Sequence, residues 1–289
     1  MTRFVFIADT HLGARPMEFQ QQPGYPEKLD SLLAVLNDWI CRDGGIDFVL
    51  HGGDLVDACR VDLIDQAVAA FHFAVPCFVC LGNHDLTRPD AEREWLERAP
   101  GFFLSDSVHF EIVREDCVIH VVPSHWDEDR YHWKDVQAAR LSADQIERMG
   151  LVLGRYQDRP HVLCTHSQIL AIPPEQTGLD APEHEPWPSF QAAVFEFIRG
   201  HPGIRCVLGG HNHTNTLGRV HNAVAVSVSA FASTPFEFKI VEVSEDGLAV
   251  STLDLFAEAG FEARYDFNRA FVQGRACDRQ CRISLSKQP

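Results

Sequence analysis

Five separate apolar runs in this chain stop abruptly at side chains able to bind a metal or move a proton. They are residues 4–8, 47–51, 76–81, 161–164 and 206–208, followed respectively by Asp9-Thr10-His11, Gly52-Gly53-Asp54, Gly82-Asn83-His84-Asp85, Thr165-His166 and Gly209-Gly210-His211-Asn212-His213. The runs are short, rich in β-branched residues or cysteine, and bounded by glycine or polar residues, so they read as buried strands rather than helices. Taken singly, each stop has an ordinary explanation. Asp9 could cap a helix, Gly53-Asp54 and Gly82-Asn83 could be turns, and His166 could be a satisfied core histidine. The ordered set is a stronger constraint. In an α/β sheet the C-terminal ends of strands gather on one edge, where ligands bind, so residues distant in sequence would meet there.

The segments between the runs support that architecture. Residues 27–41 carry Leu29, Leu32, Leu33, Leu36, Trp39 and Ile40 at helical spacing, and Gly44-Gly45 ends the pattern. Residues 61–73 form a second helical pattern before the strand that Pro76 opens, so the start reads β-α-β-α-β with parallel strands and right-handed crossovers. Further on, helices are predicted over 91–99, 142–156 and 190–199, the second opened by a Ser142/Gln145 capping box. Hairpins are predicted over 108–123 and 236–255, with another strand over 223–228. The loop 13–26 contains glycine and proline, and the long Pro-rich loop 172–188 follows His166 closely as a rim, a lid or a plain connection. The aromatic of Ser124-His125-Trp126 is placed to pack or to stack on a substrate, and His51 reads as structural or as a support to the site.

The expected organisation is one domain over 1–256 and a C-terminal tail over 257–289. The tail shows no periodicity and carries six Lys/Arg against two Asp between residues 264 and 287. It reads as a loosely packed surface segment, with a lid or a homodimer contact as the sharper alternative. The net charge of −16 argues against a broad nucleic-acid footprint. An anionic substrate would then need bound cations to reverse the local field. The N-terminus lacks a signal-peptide pattern, no apolar stretch is long enough to span a bilayer, and most of the nine cysteines sit inside apolar runs. The expectation is a cytoplasmic protein with reduced thiols and no membrane partner.

The ligand-type inventory is carboxylate, imidazole and one amide, without cysteine, which suits Mn, Fe or Zn in a reactive rather than a structural site. Asp9-x-His11 and His211-x-His213 each place two such groups on one side of an extended segment. At this point the chain resembles the calcineurin-like metallophosphoesterases, whose five signature blocks match Asp9-x-His11, Gly53-Asp54, Gly82-Asn83-His84-Asp85, His166 and Gly210-His211-Asn212-His213. The resemblance implies a four-layer α/β sandwich, two mixed β-sheets flanked by helices, with a dinuclear metal site at the strand C-terminal ends. It implies that Asp9, His11 and His213 hold one divalent ion, that Asn83, His166 and His211 hold the other, and that Asp54 bridges them. His84 would bind the substrate phosphate with Asn83 and protonate the leaving alkoxide, and Asp85 would orient His84 by a hydrogen bond.

Within the family, Ser/Thr protein phosphatases carry Arg after Gly-Asp-x-x-Asp and Glu after Gly-Asn-His, whereas here Asp57 precedes Ala58 and Asp85 follows His84. The Gly-Asn-Arg-Asp block of the bacterial lipid-A-pathway hydrolases is absent. Size, the Gly-His-Asn-His block and the closing hairpin are most similar to bacterial class III cyclic-nucleotide and glycerophosphodiester phosphodiesterases. The resemblance therefore implies hydrolysis of a small phosphodiester or cyclic nucleotide, with water activated between the two cations. Ala8-Asp9-Thr10-His11-Leu12-Gly13 is also similar to the opening of DNA-repair exonucleases of the superfamily, which makes a nuclease the alternative, followed by a phosphomonoesterase and a protein-binding scaffold.

Overall fold

The structure is a computed structural model that describes residues 1–15 and 21–284. Part of the predicted loop 13–26 and the last five residues of the predicted tail lie outside the described residues. The chain opens as β1 (Thr2–Ile7), α1 (Leu29–Asp43), β2 (Phe48–His51), α2 (Val61–Ala70) and β3 (Cys77–Val79), the predicted βαβαβ unit. Gly44 takes φ 68° to end α1, the left-handed C-cap that only glycine adopts without strain. Next come α3 (Ala91–Arg98), the hairpin β4 (Phe110–Val113) and β5 (Val118–Val121), α4 (Ala143–Arg155) and β6 (His161–Cys164). The chain continues through α5 (Pro174–Thr177), α6 (Pro188–Gly200), β7 (Ile204–Gly209), β8 (Thr216–Val220), β9 (Ala223–Ser227), β10 (Glu237–Val243) and β11 (Gly247–Asp254). It closes with α7 (Ala276–Arg279) and β12 (Gln280–Ser284).

These strands form two mixed six-stranded sheets, ordered β12-β11-β10-β1-β2-β3 and β4-β5-β6-β7-β9-β8. Strands β1, β2 and β3 run parallel, as do β5, β6, β7 and β9. The alternation of side chains across a strand explains the layering. In β7, Cys206 and Leu208 join the core that also contains Phe4, Phe6 and Val49 of the first sheet, whereas Val207 turns to Val194 and Phe197 of α6. Strand β6 divides the same way, with Val162 and Cys164 facing the other sheet and Leu163 facing the helices. The result is the predicted pair of sheets flanked by helices. Among the described residues no helix is long and apolar enough to cross a membrane.

Two strands have no counterpart in the sequence expectations. β8 pairs antiparallel with β9 at a sheet edge, and its Gly218 and Arg219 break any apolar alternation. β12 pairs antiparallel with β11 from Gln280 to Ser284, so the segment read as a loosely packed tail supplies an edge strand of the first sheet. Its burial pattern shows one buried residue, Ile283, which is why no periodic signal betrays it.

The capping box of α4 is formed as its sequence predicts: Gln145 N–H donates to Ser142 Oγ at 3.4 Å and Ser142 N–H to Gln145 Oε1 at 3.0 Å. Substituting Ser142→Ala should lower unfolding free energy by about 1 kcal/mol in urea denaturation; an unchanged midpoint would show that this cap does not contribute.

Candidate metal centre

The site is assembled where the loops after β1 and β2 continue side by side beyond their strands. Asp9 N–H donates to Gly53 C=O at 2.9 Å, His11 N–H to Asp54 C=O at 3.0 Å and Leu12 N–H to Leu55 C=O at 2.9 Å. This keeps the chains in parallel register after the sheet ends and brings Asp9, His11 and Asp54 together. His51 supports the arrangement, as its Nδ1 accepts from Gly53 N–H at 3.2 Å and its Nε2 lies 3.0 Å from Thr10 Oγ1. Burial pushes this imidazole down to about 3, so it serves as a neutral spacer.

The second sheet delivers imidazoles to the same place. His211 N–H donates to both oxygens of Asp9 at 3.1 Å, and His213 Nε2 lies 3.5 Å from Asp9 Oδ1 and 3.2 Å from His11 Nε2. His166 Nε2 lies 3.1 Å from Asp54 Oδ2 and 3.1 Å from Asn83 Oδ1, and Asn83 Oδ1 is 2.9 Å from His211 Nδ1. All seven sequence-predicted ligands therefore converge. Ligand atoms of Asp9, His11 and His213 fall within 4.8 Å of one another, as do those of Asp54, His166 and His211. Asp54 Oδ2 is also 3.9 Å from His11 Nε2, which sets its carboxylate between the two groups.

Backbone conformation marks the same residues. Asp9, His11, Asp54, His211 and His213 all have positive φ, between 44° and 70°. Left-handed backbone costs a non-glycine residue on the order of 1–2 kcal/mol, and it persists only where surroundings over-determine it, as at functional sites. The neighbouring glycines permit the crowding. A Cβ on Gly82 would stand 2.3 Å from Asp54 Oδ1, and one on Gly210 would stand 2.5 Å from Asp9 Oδ2.

Hydrogen bonds fix which atoms face the centre. His166 Nδ1–H donates to Gly52 C=O at 2.9 Å, leaving Nε2 toward the carboxylates. Asn83 Nδ2 donates to Gln137 Oε1 at 3.1 Å, so its Oδ1 points at His166 and His211. Hard carboxylate and amide oxygens with borderline imidazole nitrogens suit a divalent transition ion. The donor set therefore fits the metals that the sequence suggests.

The role expected of Asp85 needs correction. Its carboxylate accepts the N–H groups of Gly82 at 2.8 Å, Val56 at 3.0 Å and Leu55 at 3.3 Å, tying the loop after β3 to the loop after β2. The His84 ring instead meets Asp57: its Nδ1–H donates to the Asp57 carbonyl at 2.7 Å, and Asp57 Oδ1 lies 3.6 Å away. Asp57 also approaches His11 Nδ1 at 3.8 Å. The spacing Asp54-x-x-Asp57 was the only sequence signal for it. Trp126 is a packing residue, edge-on to Tyr131 at 5.6 Å, while His125 packs 5.3 Å from the His166 ring and 5.1 Å from the His211 ring.

The electrostatics are strongly perturbed. Burial opposes protonation of His166, yet Asp54 and Asp9 outweigh it and push the ring up to about 10. Burial, with His166 beside it, pushes His211 down to about 4. Burial and the Asp54 charge raise the Asp85 carboxyl to about 7. For His84 burial again works downward, but Asp54 and the Asp57 carbonyl raise it above the ordinary imidazole value.

The chain belongs to the calcineurin-like phosphoesterase family, whose model matches residues 2–215. Over 107 residues it is 35% identical to the DNA double-strand break repair protein Mre11 of Haloferax volcanii, a match covering 34% of this chain and 22% of that protein. The chain thus spans about a fifth of the curated relative it matches. Its fold is similar to that of purple acid phosphatase PPD1 from yellow lupin, at a TM-score of 0.63 and 14% identity, covering 98% of this chain and 53% of that one. It is also similar to GAP50, the anchor in the inner membrane complex of Plasmodium, at a TM-score of 0.62 and 9% identity, covering 92% of this chain and 87% of that one. At such identities these structures speak for the fold alone.

A cation entering beside His166 must displace the proton that Asp54 and Asp9 hold there, so apparent metal affinity should rise with pH through the neutral range. Titration calorimetry with Mn²⁺ at about pH 6 and about pH 8 should show proton release and tighter binding at the higher pH. Equal affinity without proton release would contradict this protonation state.

Proposed function

We propose that this chain hydrolyses a phosphodiester, with a small diester or cyclic nucleotide as substrate and two divalent ions (Mn, Fe or Zn) as cofactors. The observation that carries the proposal is the position of Asp54, whose Oδ2 faces His166 at 3.1 Å on one side and His11 at 3.9 Å on the other. One carboxylate between two ligand sets is what a bridged pair of cations requires. Asp9, His11 and His213 would hold one ion, Asn83, His166 and His211 the other, and Asp54 both. When bound, such a pair neutralises phosphate charge and lowers the pKa of water enough to make a nucleophile near neutrality.

The remaining steps belong to the protein. Asp54 Oδ1 accepts the His84 N–H at 2.8 Å, which anchors His84 beside the centre. The Nδ1–H of His84 is committed to the Asp57 carbonyl, so the proton it can give up is the one on Nε2. Burial works against that proton, but Asp54 and the Asp57 carbonyl raise the ring's affinity for it, which suits His84 to meet a phosphate oxygen and then to protonate the leaving alkoxide. Asp85 acts through backbone, setting the turn that presents Asn83 and His84.

A second reading, cleavage of nucleic acid, is favoured by the 35% identity to Mre11 over 107 residues. The net charge of −16 weighs against it, because phosphate-tracking surfaces are basic.

A panel of mono-, di- and cyclic phosphoesters assayed with Mn²⁺ separates these readings. Turnover of bis(p-nitrophenyl) phosphate or cyclic AMP, abolished by chelation and restored by Mn²⁺, is the expected result; salt-dependent DNA binding with cleavage would instead favour the nuclease. His84→Ala should lower kcat on an ester with a poor leaving group by about 10²–10⁴-fold and much less on a nitrophenyl ester. Full turnover of the poor ester would refute the acid role.

A further inference from the structure

We propose that Asn215, held by the C-terminal segment, is a positioning residue for the His211–His213 turn, so that this segment is needed for tight binding of the cation beside His213. The proposal rests on the dinuclear reading above. Its starting point is the conformation of the turn. His211 and His213 have φ of 70° and 53°, and such a segment relaxes unless it is held from both sides. One side is the Asp9 carboxylate, which accepts the His211 N–H. The other side is Asn215, two residues beyond His213 and fully buried.

Every polar group of Asn215 is engaged. Its Nδ2 donates to Glu237 Oε2 at 2.6 Å, and its Oδ1 accepts the Ser229 N–H at 3.2 Å. Its backbone N–H donates to the Val272 carbonyl at 2.9 Å, and its carbonyl accepts from Gln176 Nε2 at 2.8 Å. Gln176 Nε2 reaches the Phe271 carbonyl as well, at 2.8 Å. Three of these attachments, through Val272, Gln176 and Glu237, lead into residues 271–279. Arg279 forms an ion pair with the buried Glu237 and donates to the Gln273 carbonyl at 3.0 Å, closing a ring from Asn215 through Glu237 to the C-terminal segment. Gly274 completes the fit, since a Cβ there would stand 2.8 Å from the Asn215 carbonyl. Apart from Asn215 and Gln176, the residues of this clamp lie past residue 215, where the family match ends.

Groups that support ligands from behind typically change metal affinity 10–100-fold when removed. The test is Mn²⁺ binding by calorimetry, with electron paramagnetic resonance of the loaded protein, on wild type, Asn215→Ala and Arg279→Ala. Arg279→Ala removes the clamp from its partly exposed end and so guards against a misfolded Asn215 variant. Val194→Ala in α6 reports what loss of stability alone does. The expected result is that wild type binds two ions, while both clamp variants bind one ion about 10–100-fold more weakly and lose the exchange-coupled signal of the pair. Rescue of that signal in Arg279→Lys is expected as well. If wild type binds two ions and the clamp variants match it, or Val194→Ala weakens binding equally, the inference falls and the dinuclear reading stands. If wild type takes up no Mn²⁺, both fall.

Discussion

Two buried carboxylates on one sheet face imidazoles delivered by the other, and the rest of the molecule is arranged around that meeting. Asp9 and Asp54 extend from β1 and β2, while His166, His211 and His213 follow β6 and β7. Burying an ionised carboxylate without partners is costly enough that the group would neutralise instead. Here both carboxylates remain below the ordinary range although burial pushes the other way, because His213 and His166 stand against Asp9 and His166 and His84 against Asp54. The contact thus joins the two sheets at their C-terminal edges and creates the polar, negatively poised centre that a divalent ion can enter.

That centre is held by geometry as much as by charge. Five of its residues occupy left-handed backbone, and the chain around them is closed by backbone hydrogen bonds, by Asp85 across two loops and by Asn215 from behind. Strain at these positions is tolerable because the sheets carry a continuous core from Phe4 and Phe6 to Cys164 and Leu208. Rigid elements supply precision, and the loops beyond them supply the reactive groups.

The legible parts were those with local signals. Five of the parallel strands, β1, β2, β3, β6 and β7, show in the sequence as apolar runs with a polar stop, and the strand-end rule brings Asp9, His11, Asp54, Asn83, His166, His211 and His213 together. What stayed hidden depends on partners remote in sequence. β12 buries one side chain and owes its existence to β11, and Asp57 and Asn215 look like ordinary loop residues until His84 and Glu237 are beside them. The expected pairing of Asp85 with His84 is absent for a related reason. A carboxylate next to a histidine suggests a pair, but its oxygens are directed to three backbone N–H groups that no sequence pattern reveals.

The most direct measurement is anomalous diffraction from a crystal grown or soaked with Mn²⁺. Two peaks are predicted, one among Asp9, His11 and His213 and one among Asn83, His166 and His211, with Asp54 touching both. A single peak elsewhere, or none at this edge of the sheets, would contradict the account.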